Sequence, residues 1–378
     1  MRDPEIHRLT MPKWGLTMTA GMVVKWLVDE GGEVAAGDEL VEVETEKIAS
    51  AVEAATAGVL HRRVADEGDT VPVGGLLGVI AGPDIAPEQI DLIVEEFAET
   101  FVPGEEAVTT GGPSTQRVQV GDRSIRYLAL GEGGPPAVLL HGFGGDLNNW
   151  LFNSDALSTG RTVYALDLPG HGESSRDVGD GSIDTLAGAV TGFMDALAIS
   201  PAHIAGHSLG GAIALQIALS EPARVASLSL IASAGLGPEI DAGFIEGFVA
   251  AERRRALRDE LQKLFADPAL VTRRLVDDVL KFKRIDGVAD ALRKTATGFV
   301  SGGAQSHYLR DRLGEITVPT QIIWGEMDGI IPASHAAGLP DSIETTLLPG
   351  AGHMPMMEAA SEVNLLLAGF MERAAVTP

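Results

Sequence analysis

The sequence has 378 residues, 45% hydrophobic and 21% charged, which is long enough for two or three domains with a sizeable buried core. Its formal net charge of −25 excludes binding to a nucleic-acid backbone as a main role, because phosphate contacts need basic residues. It has no cysteine, which excludes a disulfide framework and a thiolate metal site, and no apolar run of about 18 residues that would span a membrane.

The N-terminal stretch MRDPEIHRLT contains acidic residues and lacks the apolar segment of a secretory signal. We therefore expect a cytoplasmic protein that binds no metal, nucleic acid or membrane.

An internal repeat occupies most of the first eighty residues. Residues 19–43 align with residues 56–80 at an offset of 37, with nine identities in 25 positions that include three glycines in each copy. Glycines and acidic turns separate short alternating runs, which is typical of an all-β domain. The repeat predicts two similar β units in residues 1–80, with Lys47 exposed on the hairpin between them.

Residues 81–115 form a different segment, with about eight negative charges and no lysine or arginine. Ile90, Ile93, Phe97 and Phe101 follow helical spacing, which predicts a short amphipathic helix. The rest of this segment is predicted to be a flexible acidic linker.

Residues 116–378 alternate apolar strand-like runs with helical patterns, which predicts a mostly parallel α/β sheet. Strand patterns disappear at about 234–313, where only helix-like segments remain. We expect these segments to form a helical cap over the carboxyl edge of the sheet, where ligands bind in such folds.

GHSLGG, residues 206–211, is a Gly-x-Ser-x-Gly motif directly after a predicted strand and directly before a predicted helix. Small residues permit a sharp strand-to-helix turn that exposes the serine oxygen above the sheet. Ser208 is therefore the candidate nucleophile, and His207 is expected to shape the turn.

A serine hydroxyl needs a general base that is oriented by an acid, in the chain order Ser, acid, His in this architecture. Asp328 follows one late strand and His353 follows the next, so they are the candidate acid and base. Glu326 remains the alternative acid.

An oxyanion hole needs two backbone donors. The N–H of Leu209, next to the nucleophile, is one candidate, and the N–H of Phe143 in HGFGGD is the other. The loop DLPGHGES, residues 167–174, is a further segment expected beside the site.

These motifs resemble the α/β-hydrolase superfamily from about residue 116 to the C-terminal region. The resemblance implies an acyl-enzyme on Ser208 and leaves the acceptor of the acyl group open.

Residues 1–80, with MPKWGLTM, GDELVEVETEKIAS and AGVL, resemble a lipoyl domain, which is a flattened two-sheet β-barrel or sandwich. In that family the lysine of the Glu-Thr-(Asp/Glu)-Lys motif carries lipoic acid in amide linkage, so the resemblance implies lipoate on Lys47. A biotinyl carrier would show Met-Lys-Met, whereas Glu46 and Ile48 flank this lysine. An ordinary exposed hairpin lysine is the alternative interpretation.

A lipoyl domain followed by a hydrolase-like domain is similar to the acyltransferase component of bacterial acetoin dehydrogenase complexes. The resemblance implies an acetyltransferase that moves acetyl from S-acetyl-dihydrolipoyl-Lys47 to coenzyme A. It also implies two partners in a multienzyme complex, a thiamine-diphosphate-dependent acetoin-cleaving component and dihydrolipoamide dehydrogenase. Ordinary 2-oxoacid dehydrogenase acyltransferases carry a His-x-x-x-Asp-Gly motif, whereas here His307 and Asp311 are followed by Arg312.

Two other functions remain open. One is a thioesterase or carboxylic-ester hydrolase tethered by a lipoyl domain, and the other is a lipoyl carrier whose hydrolase-like domain is a non-catalytic scaffold.

The predicted cap is basic in an acidic chain, because residues 251–312 hold 14 of the 28 basic residues against 9 acidic ones. Such a surface could attract coenzyme A phosphates or the acidic lipoyl domain, and the alternative is the solvated faces of amphipathic helices. The basic residues in question are Arg253, Arg254, Arg255, Arg258, Arg273, Arg274, Lys281, Lys283 and Arg284.

Overall fold

The computed structural model describes residues 6–12, 20–44, 49–83, 85–101 and 115–376. The chain divides into two compact units, residues 1–112 and 113–378. Each unit has its own sheets and its own buried core.

The first unit forms two four-stranded antiparallel sheets and one helix within its described residues. The elements are β1 (Ile6–Thr10), β2 (Ala20–Trp26), β3 (Glu33–Val34), β4 (Glu39–Glu44), β5 (Ala49–Glu53), β6 (Gly58–Arg63), β7 (Thr70–Pro72), β8 (Leu76–Ala81) and α1 (Pro87–Thr100).

The two sheets repeat each other, as the internal sequence repeat predicts. Their strand orders are β1-β8-β6-β3 and β5-β4-β2-β7. The repeat relates β2, β3 and β4 to β6, β7 and β8, respectively. If each strand in the first order is replaced by its counterpart, and β1 by β5, the result is the second order. The equivalent glycines Gly31 and Gly68 also share a positive φ, 84° and 95°, which favours glycine at both turns.

A core of fully buried side chains such as Leu40, Val43 and Leu60 lies within this unit. Helix α1 starts with Pro87 in its first turn and buries Ile90 against strand β8. This helix, predicted within a linker, therefore packs on the first unit. Residues 102–114, which complete the predicted linker, lie outside the described residues.

Lys47 lies outside the described residues, together with the rest of segment 45–48. The strands on either side of the segment, β4 and β5, pair antiparallel with Glu44 opposite Ala49. The segment that contains Lys47 thus connects two adjacent strands at one end of a sheet.

The second unit is an α/β structure. Its elements are β9 (Gln116–Val120), β10 (Arg123–Leu130), β11 (Ala137–Leu140), α2 (Leu151–Leu157), β12 (Val163–Leu166), α3 (Ile183–Ala196), β13 (Ala202–His207), α4 (Leu209–Ser220), β14 (Val225–Ile231), α5 (Ala242–Ala250), α6 (Arg254–Leu261), α7 (Arg273–Lys283), α8 (Val288–Phe299), β15 (Val300–Ser301), β16 (Ala304–Gln305), β17 (Thr320–Gly325), β18 (Ile343–Leu348), α9 (Pro355–Glu358) and α10 (Ala360–Val376).

The large sheet of this unit has the order β18-β17-β14-β13-β11-β12-β10-β9. Strands β11 to β14, β17 and β18 run parallel, whereas β9 and β10 pair antiparallel at one side. The expected mostly parallel sheet is confirmed. The loops that follow β11, β13, β17 and β18 therefore emerge at the same edge of the sheet.

Helices α5 to α8 fill the interval between β14 and β17, and we call this insertion the cap. The prediction that it is purely helical is wrong for β15 and β16, which form a short antiparallel hairpin. Gly302 and Gly303 connect these strands with positive φ of 61° and 82°, as a two-residue hairpin turn requires. Two-residue strands are too short to produce an alternating sequence pattern.

Among the described residues, no helix has the length and apolar character needed to cross a membrane.

Candidate active site

Ser208 lies at the sharp turn between β13 and α4. Its backbone has φ 51° and ψ −116°, a conformation that is strained for a residue with a side chain. The flanking glycines permit this turn, because a Cβ on Gly206 would lie 2.2 Å from the carbonyl oxygen of Gly210. A Cβ on Gly210 would likewise lie 2.5 Å from the carbonyl oxygen of Leu140.

His353 and Asp328 form a buried pair after strands β18 and β17. Nδ1 of His353 lies 2.8 Å from Oδ2 of Asp328, and the two side chains are 2% and 0% exposed. A carboxylate only accepts hydrogen bonds, so Nδ1 carries the proton and Nε2 is left as the basic nitrogen. Glu326, the alternative acid, is exposed.

Asp328 is itself held by three further donors. Its Oδ1 accepts from the backbone N–H groups of Ile330 (2.8 Å) and Ile331 (3.0 Å), and its Oδ2 also accepts from Nε1 of Trp324 (2.9 Å). These bonds fix the plane of the carboxylate, which in turn fixes the imidazole of His353.

The backbone of His353 is anchored on both sides. Its N–H donates to the carbonyl oxygen of Leu264 in the cap (2.9 Å), and its carbonyl oxygen accepts from Nε2 of His207 (2.8 Å). The rings of His207 and His353 have centroids 4.8 Å apart. Burial, followed by the charge of His353, lowers the pKa of His207 well below its ordinary value, so His207 is a neutral donor.

His207 therefore connects the turn of Ser208 to the loop of His353. This contact extends its expected role in shaping the turn. Among the described residues, Oγ of Ser208 and Nε2 of His353 form no hydrogen bond, and the His353 ring is bonded only through Nδ1.

Two backbone N–H groups beside Ser208 lack an acceptor in the part of the chain that the structure describes. The N–H of Phe143 donates to no acceptor among the described residues, and Leu209 is the first residue of α4, where an N–H has no partner within the helix. Gly142 brings the loop close, since a Cβ there would lie 3.1 Å from Cβ of Ser208. The positive end of the α4 dipole adds to the preference for negative charge at this point.

The ring of Phe143 packs against the cap and against the 167–174 loop. Its centroid lies 5.9 Å from that of Phe248 on α5, 5.8 Å from that of Phe299 on α8 and 6.0 Å from that of His171. Burial lowers the pKa of His171 to about 3, so its ring is neutral. The N–H of Phe143 therefore belongs to a loop with apolar surroundings.

Asp167 connects the loops next to the site. Its Oδ1 accepts from the N–H of Leu147 (2.9 Å), and its Oδ2 accepts from the N–H of Glu173 (2.8 Å). Arg126 forms an ion pair with it at 3.2 Å. Burial and the charge of Asp146 raise the pKa of Asp167 to about 6.

Most of the nine basic cap residues already have partners. Arg254 and Arg273 pair with Asp277, and Lys281 pairs with Asp278. Arg274 also pairs with Asp278, and Lys283 donates to the carbonyl oxygens of Phe248 and Val249. The basic side chains that form no ion pair or hydrogen bond with the described part of the chain are those of the exposed Arg253, Arg255, Arg258 and Arg284.

No cluster of three or more histidine, aspartate or glutamate side chains that could hold a metal ion occurs in the described ranges.

Comparisons with known proteins agree with both units. Residues 135–360 match the model of the alpha/beta hydrolase fold, and residues 7–80 match the model described as biotin-requiring enzyme, which covers biotin and lipoyl attachment domains. The dihydrolipoyllysine-residue acetyltransferase component of the acetoin cleaving system of Pseudomonas putida is 51% identical over 370 residues, which cover 98% of this chain and 99% of that protein. The chain belongs to this acetyltransferase family.

The component of the same name from Cupriavidus necator is 44% identical over 366 residues, or 97% of each chain. A meta-cleavage product hydrolase from Pseudomonas fluorescens IP01 is similar in structure, with a TM-score of 0.63 and 25% identity, and the match covers 68% of this chain and 98% of the hydrolase. The lipoyl and α/β-hydrolase resemblances and the acetoin-system family are thus confirmed.

Proposed function

We propose that this protein is the dihydrolipoyllysine-residue acetyltransferase of an acetoin cleaving system, and that it transfers acetyl through an acyl-enzyme on Ser208. The observation that supports this most directly is the turn of Ser208 connected through His207 to the buried His353–Asp328 pair, in a chain that also contains a lipoyl-type unit. Relatives aligned over nearly the whole chain have the same name.

The first half-reaction acylates Ser208. Nε2 of His353 accepts the hydroxyl proton as Oγ attacks the thioester carbonyl, and the N–H groups of Phe143 and Leu209 stabilise the oxyanion. The carbon–sulfur bond then breaks, and the departing sulfur takes the proton from His353. Asp328 keeps the imidazole oriented and stabilises its cation throughout.

The second half-reaction regenerates Ser208. Coenzyme A gives its thiol proton to Nε2 of His353, and the sulfur attacks the acetyl ester. The Ser208–acetyl bond breaks, and Oγ recovers the proton from the imidazolium. The product is acetyl coenzyme A, and no oxidant or reductant is consumed.

Lipoate, attached to Lys47, would supply the thiol that presents the acetyl group. The paired strands β4 and β5 fit this assignment, because Glu44 and Ala49, the described residues on either side of Lys47, lie opposite each other in one sheet. Acetyl delivery to this thiol and reoxidation of the released dithiol need two other activities. We assign these to a thiamine-diphosphate-dependent acetoin-cleaving component and dihydrolipoamide dehydrogenase.

The test offers S-acetyl-dihydrolipoamide to the full chain with and without coenzyme A. We expect acetyl coenzyme A to form in equal amount to the thiol released. Ser208→Ala should lower kcat by about 10⁴-fold or more, as removal of a triad nucleophile does. Ser220→Ala, at the exposed far end of the same helix, is the matched control.

The hydrolase alternative gives a different result in the same assay. Release of acetate at the same rate in the presence and absence of coenzyme A, with no acetyl coenzyme A, would contradict acetyl transfer. Wild-type turnover by Ser208→Ala would contradict the acyl-enzyme.

A further inference from the structure

The loop that holds His353 lies directly against a segment of the cap. The segment is residues 264–266, between α6 and α7, and Leu264 accepts the N–H of His353 at 2.9 Å. The contact continues at Gly352, where a Cβ would lie 2.6 Å from the backbone nitrogen of Ala266 and 3.0 Å from the carbonyl carbon of Phe265. Only glycine lets the two backbones approach this closely.

One carboxylate spans both backbones. Glu358, the last residue of α9, accepts from the N–H groups of Gly352 (2.9 Å) and Met354 (3.1 Å) through Oε1. Its Oε2 accepts from the N–H of Ala266 at 2.7 Å. Glu358 thus binds the residue before His353, the residue after it, and the cap.

The chemistry of this contact requires a carboxylate. Three N–H groups point at one side chain from two directions, and an ionised carboxylate is acceptor-only at both oxygens. A glutamine side chain at this position would have one acceptor oxygen, and in either orientation of the amide its NH₂ group would face a backbone N–H donor. Bonds from N–H groups to a charged oxygen are also stronger than those to a neutral one.

We propose that Glu358 is a positioning residue, which holds the backbone on both sides of His353 to cap residues 264–266 and so keeps the imidazole in reach of Ser208. The inference rests on the proposed role of His353 as the general base. It gives the cap a part in the reaction, because the position of the base depends on a cap segment remaining in place.

The test compares Glu358→Gln, Glu358→Ala and the control Glu362→Gln in the full chain. Glu362 is an exposed carboxylate in the first turn of α10, so its substitution makes the same chemical change four residues away. For Glu358→Gln we expect kcat to fall by about 10–100-fold while KM changes less than about threefold, as for a misplaced catalytic group. Glu362→Gln should match the wild type.

Two further measurements separate positioning from general stability. The rate at which a fluorophosphonate labels Ser208 should fall with kcat, because labelling also depends on His353. Hydrogen exchange should accelerate in the peptides that contain residues 264–266 and 352–354 and stay unchanged elsewhere. Faster exchange across the whole second unit would contradict a local positioning role.

The decisive variant is Glu358→Gln, since Glu358→Ala could prevent folding. Wild-type kcat and wild-type labelling by Glu358→Gln would overturn the proposal. Fluorophosphonate labelling also tests the role of Glu358 independently of acetyl transfer to coenzyme A. If the wild-type protein is labelled but transfers no acetyl to coenzyme A, the proposed function fails while the comparison of labelling rates still decides the role of Glu358.

Discussion

Four of the six buried histidines in the second unit are held in the neutral form. Burial lowers the pKa of His141 and His203 to about 4 and that of His171 to about 3. Burial also lowers the pKa of His207. Each contacts a backbone or hydroxyl group that suits a neutral ring, such as Oγ of Ser227 at 2.8 Å from Nδ1 of His203.

These histidines make the stability of the second unit depend on pH. Between pH 4 and the ordinary pKa of 6.5, the unfolded chain binds protons that the folded chain does not, so the free energy of unfolding falls as the pH falls. Each histidine contributes up to about 1.4 kcal/mol per pH unit in this window. Asp167 acts in the opposite sense, because its raised pKa of about 6 makes the folded state bind the extra proton.

We predict that urea unfolding between pH 7.5 and 5 shows a loss of stability that steepens below pH 6.5. His203→Gln should reduce the slope of the unfolding free energy against pH by about 1.4 kcal/mol per pH unit, which corresponds to one fewer proton bound on unfolding. His7→Gln, in the first unit, is the control and should leave the slope unchanged. A wild-type slope in His203→Gln would show that His203 does not carry this effect.

The sequence indicates Ser208, Asp328 and His353 as the candidate nucleophile, acid and base. Each follows a strand at a Gly-rich or polar turn, and parallel strands end at the same edge of the sheet. It does not indicate how they are held. His207 contacts a residue 146 positions away, and Glu358 contacts one 92 positions away. Such contacts depend on how separate elements pack, and a single sequence carries no local pattern for them.

At the level of elements, the cap adds basic charge to an otherwise acidic molecule. Ion pairs between α6 and α7, such as Arg254–Asp277, neutralise part of that charge. The exposed Arg253 and Arg255, at the start of α6, form no such pair among the described residues. They are two of the four exposed cap arginines whose side chains have no partner among the described residues, and we propose that they attract the phosphates of coenzyme A.

We predict that the double variant Arg253→Glu and Arg255→Glu raises KM for coenzyme A by about 3–30-fold and weakens its dependence on salt, since exposed charges contribute about 1 kcal/mol or less each. KM for pantetheine, which lacks phosphate, should not change. Arg293→Glu with Arg312→Glu makes the same charge change at arginines that already pair with Asp290 and Glu315. If both double variants changed KM for coenzyme A equally, the overall positive charge of the cap would attract coenzyme A, and no specific site at Arg253 and Arg255 would be needed.

The elements that the sequence predicts best are those with long or repeated patterns. The offset of 37 between Gly31 and Gly68 anticipates the matching strand orders of the first unit. The hairpin of β15 and β16 is missed because only its Gly302–Gly303 turn has a sequence signal. Helix α1 is predicted, but its burial of Ile90 against β8 is not, because amphipathicity shows that a face is buried without showing against what.

For the whole molecule, the proposed function assigns one attachment lysine and one reactive serine to a single sequence. We predict that Lys47→Arg abolishes lipoylation and transfer from lipoyl-bound acetyl, since arginine cannot form the amide. Turnover of free S-acetyl-dihydrolipoamide at Ser208 should remain within about twofold of wild type, because separate sites are energetically independent. Mass spectrometry of the first unit and the two activity assays measure these outcomes.

Lys25→Arg is the matched control, because Lys25 is an exposed lysine of the same unit, opposite Glu42 on the neighbouring strand. It should retain lipoylation and both activities. Loss of free-substrate turnover in Lys47→Arg would contradict the separation of carrier and catalyst.

The backbone conformation of Ser208 also lowers the stability of the folded protein. A side chain at φ 51° and ψ −116° costs about 1–3 kcal/mol, and glycine adopts positive φ freely. We therefore predict that Ser208→Gly is inactive but raises the melting temperature of the second unit by about 2–6 °C. Ser208→Ala keeps the Cβ and should show no such gain. Natural selection for catalysis would then have kept the less stable of two available residues at the centre of the fold.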